Sequence, residues 1–139
     1  MSIQLSESQK QILLDKSFVH LATVNADGSP QVSPVWVDFD GQNLIVNSEQ
    51  RRLKVRNMKR DPRVSLSVTD PQNPYRYMEI RGRVVEISVD QDGTVIDKLA
   101  KKYLGQDKYP FNQPGDVRLT FKIEPLKVAG INIDGPPSR

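Results

Sequence analysis

The sequence predicts a mainly β protein, an antiparallel barrel, closed or split, with a few short helices packed on it. Seven short strand-like runs are separated by Gly, Pro, Asn and Asp turn signals. They are joined mostly as hairpins and do not alternate regularly with helices, which argues against a doubly wound fold. No Gly-x-Gly-x-x-Gly or P-loop pattern is present. Curling such strands into a barrel also removes the exposed sheet edges that invite aggregation. At 139 residues the chain reads as one domain, 1–139, long enough to bury a real core.

A helix is expected over residues 6–15, where Ser6 and Gln9 have the spacing of a capping box and Ile12 and Leu13 supply the apolar stripe. Strands 18–24 and 31–39 follow, joined by Asn25-Ala26-Asp27-Gly28-Ser29-Pro30, and Asp40-Gly41 turns the chain into a third strand, 43–48. These three read as a meander. Pro34 lacks a ladder donor and belongs at an edge or bulge. Residues 51–60 read as a short helix with Val55 and Met58 inward. Strand 62–69 and the Asp70–Pro74 loop lead to a long strand, 75–89, in which Gly82 suggests a bend. A helix over 92–104 carries Val95, Ile96, Leu99 and Tyr103 on one side, and Gly105 stops it. After a loop containing Tyr109-Pro110-Phe111, strands 117–123 and 127–131 are broken by Glu124-Pro125.

Composition excludes several chemistries. With no cysteine there is no disulfide, thiolate nucleophile or cysteine-ligated metal. The one histidine, His20, reads as a satisfied strand residue and cannot build a histidine metal cluster. Hydrolysis lacks a nucleophile motif, and the carboxylate pairs Glu79/Glu86 and Asp90/Asp92 read as solvated surface charge. No apolar run spans a bilayer, and Met1-Ser2-Ile3-Gln4 has no signal-peptide character, which argues against a membrane and for the cytoplasm.

Residues 51–60 hold six basic side chains and no acidic one, although the net charge is only +3. A helix opening at a strand end presents free N–H groups and a positive dipole end, and adjacent Lys and Arg turn it into a phosphate or carboxylate cradle. A solvated basic face is the alternative. Without obvious catalytic side chains, a bound cofactor would supply the reactivity.

Ala22-Thr23-Val24 with Asp27-Gly28-Ser29-Pro30, Val32-Ser33-Pro34-Val35-Trp36, Arg52-x-Lys54-x-x-Asn57 with Arg60-Asp61-Pro62-Arg63-Val64, and Ile80-x-Gly82-x-Val84 resemble the pyridoxamine 5′-phosphate oxidase-like flavin and deazaflavin split barrels. The likeness runs from about residue 15 to 131 and is greatest to the small reductases that use coenzyme F-420. It implies an antiparallel, FMN-binding type of split β-barrel acting as a homodimer, with two sites at the subunit interface. Arg52 and Lys54 would hold the cofactor phosphate, with Arg51, Leu53 and Asn57 assisting from the same helix. Asn47 and Ser48 would bind the ribityl chain. Ser33, Pro34, Val35 and Trp36 would line the ring system, although Trp36 also reads as a core aromatic. Tyr75, Arg76 and Tyr77 resemble the segment that reaches the partner's site, and ordinary strand surface is the alternative.

The activity implied is hydride transfer from reduced coenzyme F-420 to a small conjugated acceptor such as a quinone or bilin. FMN is the alternative cofactor. Arg51, Arg56, Lys59 and Arg60 as a basic rim favour the deazaflavin with its polyglutamate tail. The tail Asn132–Arg139 lacks the Arg-Leu-x-Pro signature of true pyridoxamine-phosphate oxidases, which argues against vitamin B6 oxidation. A non-catalytic flavin or haem carrier is the rival class. Nucleic-acid binding is disfavoured because the basic stretch has no aromatic residue.

Overall fold

The computed structural model describes residues 3–133. The end of the tail used against vitamin B6 oxidation, 134–139, lies outside them. Three helices, α1 (Glu7–Leu14), α2 (Leu53–Arg60) and α3 (Thr94–Leu104), accompany one antiparallel sheet. Its strands are β1 (Phe18–Val24), β2 (Pro30–Val35), β3 (Asp38–Phe39), β4 (Leu44–Glu49), β5 (Arg63–Thr69), β6 (Tyr77–Val89) and β7 (Arg118–Ile131). They lie in the order β2-β1-β5-β6-β7-β4-β3. The two outermost strands, β2 and β3, are separated in the chain only by Trp36 and Val37. The sheet therefore curls until its edges meet at one short crossing, which makes a split barrel. No helix among the described residues is long and apolar enough to cross a membrane.

Period two sends one side of each long strand into the barrel. Val19 and Leu21 of β1, Val64, Leu66 and Val68 of β5, and Met78 and Ile80 of β6 meet Phe121 and Ile123 of β7 in a single buried cluster. The Ser6–Gln9 capping box forms as its spacing requires: the Ser6 hydroxyl accepts from Gln9 N at 3.1 Å, and the Gln9 carboxamide accepts from Ser6 N at 2.8 Å. This starts α1 and delivers Ile12 and Leu13 to the core. Val55 and Met58 anchor α2 in the same way. At the first hairpin Gly28 takes φ +88°, the left-handed turn conformation that glycine adopts without strain.

Three expectations are corrected. Residues 31–39 are not one strand, because the backbone at Val37 is held by α3 and not by a ladder partner. Val37 N donates to the Tyr103 hydroxyl at 3.3 Å, and its carbonyl accepts from Lys102 Nζ. Consequently 43–48 does not complete a meander with β1 and β2. As β4 it pairs with β3 and β7. Finally, Glu124-Pro125 does not break the last strand: β7 runs through, with a register shift that sets Pro125 opposite Gly82. The missing proline donor falls where the ladder is already interrupted.

The α3 clamp makes stability depend on pH. Burial pushes the Lys102 ammonium down to about 8 from 10.5, against the opposing pull of Asp38 and Asp15. A lysine with a lowered folded pKa penalises the fold while it is charged, so the penalty is complete below pH 8 and is lost as pH rises toward 10.5. Burial likewise pushes Tyr103 up to about 12 from 10.0, so its opposite contribution begins only above pH 10. Urea unfolding at about pH 7 and about pH 9.5 is expected to show the wild type gaining stability relative to Lys102→Met as pH rises. Equal differences at the two pH values would show that Lys102 does not titrate in this window.

Candidate functional site

Beside the crossing lies a cavity of about 940 Å³, walled by β2, the ends of β4 and β7, the start of α2, α3 and the loop before β7. One end is cationic. Lys54, in the first turn of α2, reaches across to donate to the Ser33 hydroxyl at 2.9 Å. Burial holds its ammonium below the usual lysine range, and the charges of Arg52 and Arg118 lower it further. Three cations thus converge on one region. None of the three makes an ion pair with a carboxylate among the described residues. Arg52 is the N-cap of α2 yet gives it no side-chain cap, which leaves the helix start open to an anion.

The rest of the basic stretch is largely engaged within the fold. Arg51 donates from Nε to the Glu49 carboxylate at 2.8 Å and from Nη2 to Asp116 at 2.6 Å. Arg51, then the Val117 amide, holds the buried Glu49 carboxyl down to about 2 despite burial. Arg51 therefore lines the cavity but fastens β4 to the loop before β7. Arg56 donates to the Arg51 carbonyl and Arg60 to the Val24 carbonyl, which reduces the expected basic rim of Arg51, Arg56, Lys59 and Arg60. Asn57 is buried outside the cavity. Its amide donates to Thr23 and Asn25, each at 2.9 Å, while its oxygen accepts from Arg60 at 2.9 Å, so it ties α2 to the first hairpin. Leu53 is 43% exposed and is likewise outside.

The neighbouring part of the wall is aromatic. Trp36 is half-buried and stacks on Tyr103 with centroids 5.4 Å apart and planes 7° from parallel. Tyr109 meets Trp36 edge-on at 5.8 Å, and Phe111 continues the array from Tyr109 at 5.6 Å. Trp36 is thus part of the cavity wall, together with Ser33, Pro34 and Val35 of β2. Tyr103, Tyr109, Phe111 and Arg118 were not identified from sequence as site residues. The Tyr109-Pro110-Phe111 loop was the available signal, since apolar rings in a loop need something to pack against.

Asn47 and Ser48 also line the cavity, but the Asn47 carboxamide is already used by its neighbours. It donates to Asp90 at 3.1 Å and to Thr120 at 3.2 Å, and accepts from Arg118 Nε at 2.7 Å. Asp90 is correspondingly not free surface charge: it also accepts from the Val95 and Ile96 amides at the start of α3. Glu79 and Glu86 pair separately, with Arg81 and Lys122. His20 is exposed on β1, at the margin of the cavity.

Tyr75, Arg76 and Tyr77 do not reach the cavity of their own chain. Tyr75 is 75% exposed, and Arg76 is held by Asp70 at 3.0 Å and by the Asn132 carbonyl at 3.2 Å. Tyr77 borders a second, smaller hollow of about 450 Å³ on the outer face of β1, β2, β5 and β6.

Comparison with known proteins gives these features a setting. A structure described as an F-420 reductase is 37% identical, covers 90% of this chain and 98% of its own, and superposes with a TM-score of 0.79. A conserved hypothetical protein from Mycobacterium tuberculosis (19% identity, 94% and 86% coverage, TM-score 0.66) shares the fold. So does a putative pyridoxamine 5′-phosphate oxidase from Listeria innocua (20% identity, 83% and 88% coverage, TM-score 0.57). The pyridoxamine 5′-phosphate oxidase family matches residues 5–132, nearly the whole described chain, and the protein belongs to that family.

Proposed function

We propose that the protein is an oxidoreductase that binds coenzyme F-420 and passes a hydride from its reduced form to a small conjugated or electrophilic acceptor. The observation that carries this reading is the convergence of Arg52, Lys54 and Arg118, none of which pairs with a carboxylate among the described residues, at one end of an aromatic-walled cavity. That donor set suits the phosphate of a flavin-type cofactor, and Trp36 with Tyr109 suits a flat ring system. Identity of 37% to an F-420 reductase favours the deazaflavin over FMN.

Lys54, Arg52 and the open start of α2 hold the anionic group, and the Ser33–Trp36 segment lines the ring. When bound, the reduced deazaflavin supplies the hydride, and the acceptor takes its proton from water. The Tyr103 hydroxyl is not the proton source, since it is bonded to the Ser17 carbonyl at 3.0 Å and burial raises its pKa to about 12. The chain's own contribution is orientation and exclusion of water.

A second copy completes the assembly in this reading. Phe18 and Val32, 63% and 62% exposed, lie with Tyr77 on the outer face, an apolar surface suited to a homodimer. Tyr75 and Tyr77 would approach the partner's site from there.

Trp36 is the only tryptophan, so its emission reports on the cavity directly. Titration with coenzyme F-420 and with FMN is expected to quench it, with the deazaflavin bound more tightly. Tighter FMN binding would move the protein to the flavin-dependent branch. Absence of quenching and of binding by equilibrium dialysis with both would overturn the cofactor reading.

A further inference from the structure

We propose that Asp90, which does not line the cavity, is a positioning residue that sets Arg118 for anion binding and acts through the Asn47 carboxamide. The inference rests on the anion reading of the cationic end.

An ionised carboxylate can only accept hydrogen bonds, and the surroundings of Asp90 supply donors to both of its oxygens. Oδ1 accepts from Val95 N at 3.2 Å. Oδ2 accepts from Ile96 N at 2.9 Å and from Asn47 Nδ2 at 3.1 Å. Asp90 thus fixes which end of the Asn47 amide faces it. The same amide nitrogen donates to the Thr120 hydroxyl at 3.2 Å, so the Asn47 oxygen must point the other way. There it accepts from Arg118 Nε at 2.7 Å.

That bond fixes the guanidinium by its inner nitrogen and leaves its outer nitrogens for a ligand. The guanidinium carbon lies 4.7 Å from the centre of the Tyr109 ring, which sets a second restraint on its position. Arg52, Lys54 and Arg118 line the same cavity, and the charge of Arg118 helps hold the Lys54 ammonium low, so the three form one cationic region. The start of α3 is thereby linked through Asp90 and Asn47 to the arginine that meets the anion. A guanidinium held in place before binding loses less freedom when it binds.

The substitution Asp90→Asn separates this role from simple electrostatics by sign. Removing a negative charge that lies one amide away from Arg118 would, by Coulomb interaction alone, tighten an anionic ligand. The positioning role requires the reverse. Asparagine has one acceptor oxygen where the carboxylate had two and carries no charge, so it cannot serve Val95 N together with Ile96 N and Asn47 Nδ2 as the carboxylate does. Its hold on the Asn47 carboxamide loosens, and with it the hold on Arg118. Binding of coenzyme F-420, followed by Trp36 emission, is expected to weaken about tenfold. The deazaflavin riboside that lacks the phosphate is expected to bind Asp90→Asn as it binds the wild type. In an Arg118→Gln background, Asp90→Asn is expected to cause no further loss, because its effect runs through the arginine.

Unchanged or tighter F-420 binding in Asp90→Asn would overturn the proposal. So would equal loss of the phosphate-free riboside, which would indicate a distorted cavity, or an equal further loss in the Arg118→Gln background. If thermal melting shows Asp90→Asn to be unfolded, Asn47→Ala keeps the carboxylate on α3 and cuts only the link, and the same pattern is required of it. If the wild type binds neither F-420 nor FMN, the cofactor reading fails first and this inference falls with it. Wild-type binding with no effect of either variant overturns the inference alone.

Discussion

Lys54→Met is expected to weaken binding of coenzyme F-420 about 100-fold without lowering the melting temperature of the ligand-free protein. The two halves of this expectation have one cause. Lys54 is held below the ordinary lysine pKa by burial first, then by Arg52 and Arg118, so its charge opposes the fold. Because the folded pKa is lowered, the penalty is present at neutral pH and is relieved only as pH rises. Methionine keeps the apolar stem and removes the charge, which offsets loss of the hydrogen bond to Ser33. An anionic group reverses the balance, since the same crowding of cations then becomes attraction. Titration by Trp36 emission and thermal melting of the free protein read the two halves separately. Unchanged affinity would remove Lys54 from the anion site. A marked fall in melting temperature at unchanged affinity would make it a structural residue.

The parts of the fold legible in the sequence are those fixed by near neighbours. Ser6 and Gln9 are three residues apart, and their capping box forms as read. The β1–β2 hairpin follows from Asp27-Gly28, and the inward face of α2 from Val55 and Met58. What failed was pairing decided at a distance. The run 31–39 alternates like one strand, but Lys102 and Tyr103, more than sixty residues later, take the backbone of Val37 and send the two halves to opposite edges. Likewise, Pro125 reads as a strand break until Gly82 is seen opposite it.

The candidate site divides along the same line. Arg52, Lys54 and the Ser33–Trp36 strand could be singled out because their charge and spacing are local. Sequence shows a charge but not its partner. Arg51 lines the cavity as its place in the basic stretch suggests, but its pairing with Asp116 is not legible because Asp116 is distant in the chain. Asn57 matched a binding pattern, yet its amide is used by Thr23 and Asn25. Arg118 and Tyr109 come from the other end of the chain and join the site only because β7 pairs with β4.

Just beyond that pairing β7 passes tightly beside Gly82, and Gly82→Val is expected to destabilise the protein by about 3 kcal/mol, a drop in melting temperature on the order of 10 °C. Gly82 is not among the glycines with positive φ, so the cost comes from space. A Cβ at this position would lie 2.7 Å from the Ile123 methyl and 2.8 Å from the Glu124 carbonyl oxygen. The first contact could be eased by a side-chain shift. The second is backbone of the adjacent strand and can be eased only by moving β7. Trimming Ile123 is therefore not expected to restore stability. The ladder between β6 and β7 shifts register at Arg81/Gly82 and again at Val84/Glu86, and β5 stops pairing with β6 at Arg83. On one side of this bend the β6–β7 ribbon continues the wall built by β1 and β5. On the other side β7 turns to β4 and brings Arg118 opposite Glu49, at the mouth of the cationic end. Moving β7 at residue 124 therefore disturbs the arginine as well as the core. Folded Gly82→Val, isolated below its melting temperature, is expected to bind F-420 more weakly than the wild type. Wild-type melting temperature and affinity in this variant would show that the two strands can separate at the bend without cost, and that the curl of the barrel is not set there.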